Sequence, residues 1–229
     1  MTLKVIVFDF DGTLADTYDA FIEIANSLSG EFGYKPVDIK EQETLKNLSA
    51  KALIKQSEIS VFKIPFVLKR VKSELSHKIR ELEPIKDIPH CLKELKNQGY
   101  SLGIITSNTE ENVMKFLTHH NLENFFDFIY GESTLFGKHR IIKKLLKEKQ
   151  LLPDEVIYIG DETRDIYSAK KSRVQSVAVT WGFNSSQALA EQEPDFLINK
   201  PYELVTILQN YQYDVISDKT HFNSVTIQT

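Results

Sequence analysis

Apolar residues along this chain fall into short solid runs, separated by stretches with helical spacing. Val5-Ile6-Val7-Phe8, Leu102-Gly103-Ile104-Ile105 and Val156-Ile157-Tyr158-Ile159 are apolar on both faces, as strands buried inside a parallel sheet are. The pattern predicts strands at 3–9, 101–106, 127–130, 155–160, 176–181 and 195–198. Helices are expected between them at 87–98, 109–120, 138–150, 164–172 and 201–211, and this alternation is the mark of βαβ units. Gly99 reads as a helix stop, and Pro153-Asp154 as a turn before the strand at 155–160.

Residues 16–84 break the alternation. They hold no convincing strand, and Leu68, Val71, Leu75, Ile79 and Leu82 recur at helical intervals. Pro65 suits a first helical turn, and Pro84 closes the stretch. The expected organisation is an α/β core formed by 1–15 and 85–212, with a small helical cap domain at 16–84 inserted after the first strand. The tail at 213–229 has little periodicity and receives no role.

Composition narrows the class. A chain of 229 residues suits one medium domain with a small insertion. A hydrophobic share of 41% and a charged share of 26% fit a soluble protein with a proper core. The net charge of −4 argues against nucleic acid as a partner. The single cysteine, Cys91, excludes an internal disulfide and suits a reducing compartment. No apolar stretch reaches the length of a membrane span, and the first strand begins without a leader-like segment. The expectation is a cytoplasmic protein, monomer or homodimer, with no membrane partner.

The candidate chemistry lies at strand ends, where open α/β sheets bind ligands. Asp9 and Asp11, in Asp9-Phe10-Asp11-Gly12-Thr13-Leu14, alternate along the end of the first strand and can converge on one spot. Two carboxylates so close repel unless a cation or a shared proton intervenes. The second strand ends in Thr106-Ser107-Asn108. Ser107 and Asn108 each have capping-box spacing to a glutamate, or they could bind phosphate oxygens at the helix N-terminus. Lys138 opens a helix at its positive end, at a cost of about 0.3–1 kcal/mol when exposed, which a bound anion would reverse. The fourth strand runs into Gly160-Asp161-Glu162-Thr163-Arg164-Asp165. Asp161 could cap the helix. Asp161 and Asp165, four residues apart, would share a helical face and repel; a hard divalent cation such as Mg²⁺ would remove the conflict.

These four motifs, in this order and spacing, resemble the haloacid dehalogenase superfamily, and its phosphoglycolate phosphatase-like branch in particular. The resemblance implies a Rossmann-like three-layer core with a parallel sheet and a small α-helical cap. It implies a phosphatase acting on a small phosphorylated metabolite through an aspartyl-phosphate, with Mg²⁺ as cofactor. Asp9 would be the nucleophile and Asp11 the general acid/base. Ser107, Asn108 and Lys138 would bind phosphate, with Lys138 also neutralising charge during catalysis. Asp9, Asp11 (through its backbone carbonyl), Asp161 and Asp165 would hold the metal. His139 and Arg173 depart from the family, where proline and glycine are common. The alternatives are a phosphomutase on the same core and a non-catalytic phospho-receiver or binding module. Between Lys46 and Arg80 there are nine basic and two acidic residues, either a solvated face or an attractor of anionic substrates.

Overall fold

The structure, a computed structural model, describes residues 2–131 and 137–209; the expected tail at 213–229 and positions 210–211 of the expected last helix lie outside them. Six parallel strands form one sheet: β1 (Val5–Phe8), β2 (Ser101–Ile105), β3 (Phe128–Tyr130), β4 (Val156–Gly160), β5 (Gln175–Val179) and β6 (Phe196–Ile198). Their order is β3-β2-β1-β4-β5-β6. The sheet reverses its winding beside β1, so the crevice for ligands opens at the carboxyl ends of β1, β2 and β4. The register is even, with Phe8 opposite both Ile104 and Ile159. The motif residues that follow these strands therefore emerge at one level.

Alternation along each strand divides the core between two faces. Ile6, Phe8, Leu102, Ile104, Ile157 and Ile159 pack with α5 (Ile88–Asn97) and α6 (Glu110–His119) through Leu92, Leu95, Val113 and Phe116. The helical residues 202–209 cover the same face with Leu204 and Leu208. Val5, Val7, Val156 and Tyr158 face the other way, against Ile142 and Leu145 of α7 (Lys138–Glu148) and Ala169 of α8 (Thr163–Ser172). The result is three layers. A short helix absent from the sequence reading, α9 (Ser186–Ala190), caps on the Ser185 side chain, which accepts from Ala188 N–H.

Between β1 and α5 the chain is helical wherever it is regular. It forms α1 (Tyr18–Phe32), α2 (Gln42–Leu45), α3 (Ala50–Gln56) and α4 (Ile64–Lys78), with a 3₁₀ turn at Ile39–Glu41. Gly33 ends α1 in the left-handed conformation, φ 70°. Ile24 and Leu28 of α1 and Val71 and Leu75 of α4 are buried. The two crossings between sheet and helices are tied together: Asp16 N–H donates to Glu83 O at 2.9 Å, and Ile85 N–H to Leu14 O at 2.9 Å. Arg173, at the position where the family commonly has glycine, ends α8 in the same left-handed region at φ 61°.

Candidate active site

Asp9 leaves β1 with its backbone N–H bonded to Ile159 O of β4 at 2.8 Å. Its Oδ1 accepts from the Phe10 N–H at 2.7 Å, which fixes the plane of the carboxylate. Its Oδ2 lies 2.5 Å from Lys138 Nζ. The lysine also donates to Asp165 Oδ1 at 2.7 Å, and all three side chains are buried. Lys138 occupies the first turn of α7, with Gly137 as its N-cap. The anions that offset its unfavourable place at the helix's positive end are thus the protein's own carboxylates. Burial lowers the Lys138 pKa, but Asp165 and Asp9 outweigh burial and hold it above its ordinary value.

Asp161 is not the cap of α8. Glu162 takes that place, its N–H donating to Asp165 Oδ2 at 3.0 Å. Asp161 therefore stands outside the helix at the end of β4 and does not share a helical face with Asp165. Its Oδ1 accepts from the Thr13 hydroxyl at 2.6 Å and its Oδ2 from the Phe183 N–H at 2.7 Å. Asp9, Asp161 and Asp165 can bring one carboxylate oxygen each within 4.8 Å of the others. Burial first, then the charges of Glu162, Asp9 and Asp165, push the Asp161 carboxyl well above the usual carboxylate range. Three buried carboxyls so close together repel, and their hard oxygen donors suit Mg²⁺. The Asp11 side chain lies outside this group, which leaves its backbone carbonyl as the ligand expected of it.

The backbone around these acids is crowded. Gly12 adopts φ +73°, and a Cβ there would meet Asp161 Oδ2 at 2.4 Å and the Phe183 ring at 2.6 Å. A Cβ on Gly182 would fall 2.1 Å from the same Asp161 oxygen. Only glycine lets these two loops close on the carboxylate.

Ser107 and Asn108 do not cap α6; the Thr109 hydroxyl does, accepting from Asn112 N–H. Asn108 is buried and its amide reaches the Asp11 carboxylate, 3.1 Å and 3.2 Å from its two oxygens. Its Oδ1 accepts from Thr109 N–H at 2.8 Å and from Asn112 Nδ2 at 3.0 Å. Asn108 thus orients Asp11, a duty the sequence did not suggest. Ser107 is half-buried and lines, with Asp11, the cavity between the sheet end and helices α1, α3 and α4.

Burial, then the neighbouring Asp9 charge, push the Asp11 carboxyl up to about 7, with Asn108 opposing them. A carboxyl that binds its proton more tightly folded than unfolded stabilises most at low pH. That contribution is lost as pH rises from about 4 to about 7. Full burial would make the loss about 4 kcal/mol, and partial access to the cavity makes it smaller. In EDTA, the melting temperature of wild-type protein should fall from pH 5 to pH 8 by more than that of Asp11→Asn. Equal slopes in thermal denaturation would show that Asp11 titrates normally.

Sequence reading missed Asn184. Buried at the turn after β5, it donates to Lys46 O at 3.0 Å and Leu48 O at 2.9 Å and accepts from Thr163 N–H at 2.9 Å. Its own N–H donates to Asp161 O at 3.2 Å. One residue, through its side chain and its backbone N–H, ties the backbone at 46–48 to Thr163 and Asp161 at the end of β4. The available signal was Gly182-Phe183-Asn184-Ser185, a glycine and polar residues directly after an apolar run. Within the basic cap stretch, Lys46 and Lys72 line the cavity. Arg70 instead pairs with Glu74 at 3.1 Å and Glu31 at 3.8 Å, Lys69 is exposed, and His77 is exposed.

Residues 6–179 match the family model described as haloacid dehalogenase-like hydrolase. The chain belongs to this family. A phosphoglycolate phosphatase of Synechococcus elongatus is 32% identical over 203 residues, covering 89% of this chain and 96% of that protein. The pyrophosphatase PpaX of Bacillus cereus is 27% identical over 214 residues, covering 92% of this chain and 98% of its own. Among solved structures, a haloacid dehalogenase-like hydrolase from Streptococcus pneumoniae superposes with a TM-score of 0.74 at 28% identity. That match covers 90% of this chain and 98% of the other. Among the described residues, no helix is long and apolar enough to cross a membrane.

Proposed function

We propose that this haloacid dehalogenase-like hydrolase is a Mg²⁺-dependent phosphatase that cleaves a small phosphomonoester through an aspartyl-phosphate on Asp9. The observation that carries the reading is the buried Asp9–Lys138–Asp165 contact chain at the sheet's carboxyl end, with Asp161 close by and Asp11 facing the cavity. The names of the relatives from Synechococcus elongatus and Bacillus cereus, a phosphoglycolate phosphatase and a pyrophosphatase, support the reaction class.

Asp9, Asp161, the Asp11 carbonyl and, in support, Asp165 would hold Mg²⁺, which supplies charge neutralisation for phosphoryl transfer. Asp9 attacks phosphorus, the phosphorus–oxygen ester bond breaks, and Asp11 gives its proton to the departing alkoxide. Asp11, now ionised, takes a proton from the water that attacks the aspartyl-phosphate, releasing inorganic phosphate and restoring Asp9. Such proton transfers contribute roughly 10²–10⁴-fold, and an acid held near neutrality can perform both. Ser107 would donate to the phosphate oxygens, and Lys138 holds Asp9 in place while balancing its charge.

The test is phosphate release from p-nitrophenyl phosphate. Turnover should require Mg²⁺, stop on chelation with EDTA and return when Mg²⁺ is restored. Undiminished turnover in EDTA would overturn the reading.

A further inference from the structure

The cavity that begins at Asp11, Ser107 and Asn108 extends far into the cap. Its volume is about 300 Å³, at the lower bound of pockets that hold drug-sized ligands, about 300–1,000 Å³. A two-carbon acid or a second phosphate group would use only a small part of it. Its far body is lined by aliphatic and aromatic side chains, among them Phe21, Tyr34, Leu53, Val67, Val71 and Leu75. The charged groups along it are largely engaged with the protein. Arg164 pairs with Glu162, Lys35 lies 4.0 Å from Glu41, and Lys46 Nζ sits 4.5 Å from the centre of the Tyr18 ring. Lys72 also lies on the wall.

We propose that the substrate is a phosphomonoester whose alcohol carries an aromatic or branched alkyl body, seated in this cavity while its phosphate meets Asp9. This deepens, and rests on, the phosphatase reading. Continuity of the cavity with Asp11 makes the occupant the leaving group rather than a separate ligand. The reaction stays balanced as above: the ester bond to phosphorus breaks, the apolar alcohol leaves with the proton from Asp11, and water supplies the oxygen of the released phosphate. Removing apolar surface from water is what would select this substrate over a short acidic one.

The experiment measures binding without turnover, so failure of catalysis and failure of the cavity assignment give different results. Full-length protein with Mg²⁺ is titrated by calorimetry with ethyl-, butyl-, hexyl- and phenylphosphonate, and with 2-phosphoglycolate. Each buried methylene should tighten binding about two- to fourfold, placing hexylphosphonate about 16- to 250-fold below ethylphosphonate in Kd, by the same relation. In Leu53→Glu that dependence on chain length should flatten. Affinity independent of chain length in wild-type protein would overturn the proposal, as would 2-phosphoglycolate binding more tightly than hexyl- and phenylphosphonate. Loss of phosphate release with chain-length dependence intact would instead remove the catalytic reading alone.

Discussion

Asp9→Asn is expected to abolish phosphate release, lowering kcat by roughly 10⁴–10⁶-fold, the scale on which loss of a catalytic nucleophile is felt. The amide has the shape of the carboxylate but no anionic oxygen with which to attack phosphorus. It can still accept from the Phe10 N–H, as Asp9 Oδ1 does at 2.7 Å, so the fold should persist. Loss of one carboxylate relieves like-charge repulsion among the buried acids but also removes one of the two partners of Lys138, which keeps Asp165. The variant should therefore be destabilised less than Lys138→Met, which strands two carboxylates. Two readouts check the assignment. Phosphate release is followed with p-nitrophenyl phosphate, and acid-quenched protein is examined for a phosphate adduct on the peptide containing Asp9. The adduct should accumulate in Asp11→Asn, where the second step is slow, and be absent when Asp9 is replaced. A variant retaining even a tenth of wild-type turnover would exclude Asp9 as the nucleophile.

Lys138→Met should damage both activity and stability. The ammonium is buried, 2.5 Å from Asp9 and 2.7 Å from Asp165. Removing one partner of a buried ion pair strands the other, at a typical cost of 3–5 kcal/mol. Here two carboxylates are stranded. Loss of a preorganised cation from the reacting centre typically costs a further 10²–10³ in kcat. The sign with pH follows from the carboxylates that remain. Burial pushes Asp165 up to about 6 even with Lys138 opposing it, and without the lysine that carboxyl binds its proton more tightly still. The deficit in stability should therefore be largest near pH 8 and shrink toward pH 5, where the acids are neutral, and Mg²⁺ should recover part of it. Thermal denaturation from pH 5 to pH 8 with and without Mg²⁺ reads this directly. A variant that melts with wild type at every pH would show that the lysine is not the compensating charge. Lys138→Arg is no conservative control, because a planar fork does not fit the space of a compact ammonium between two carboxylates.

Much of the fold was legible because burial imposes a pattern. Strands covered on both faces must be apolar throughout, and the runs at Val5–Phe8, Leu102–Ile105 and Val156–Ile159 announced β1, β2 and β4 within a residue or two. Helix ends were less legible, since several residue types compete to cap. Ser107, Asn108 and Asp161 all carried capping signals, yet Thr109 and Glu162 took those places. The three passed over stand instead at the carboxyl ends of β2 and β4. The short α9 was missed because five residues offer too little periodicity to detect.

The groups proposed to react were named by the sequence itself. Asp9, Asp11, Ser107, Lys138, Asp161 and Asp165 follow strand ends, and parallel strands in register bring such positions to one edge. Only the tertiary structure decided what each group meets. It paired Lys138 with Asp9 and Asp165, turned Asn108 toward Asp11, and placed the Phe183 N–H against Asp161. It also opened an apolar cavity beside Asp11. Spacing along a chain carries the period of its helices and strands. Contacts across 97 residues, as between Asn108 and Asp11, or 148, as between Thr13 and Asp161, depend on how those elements pack, which no local period records.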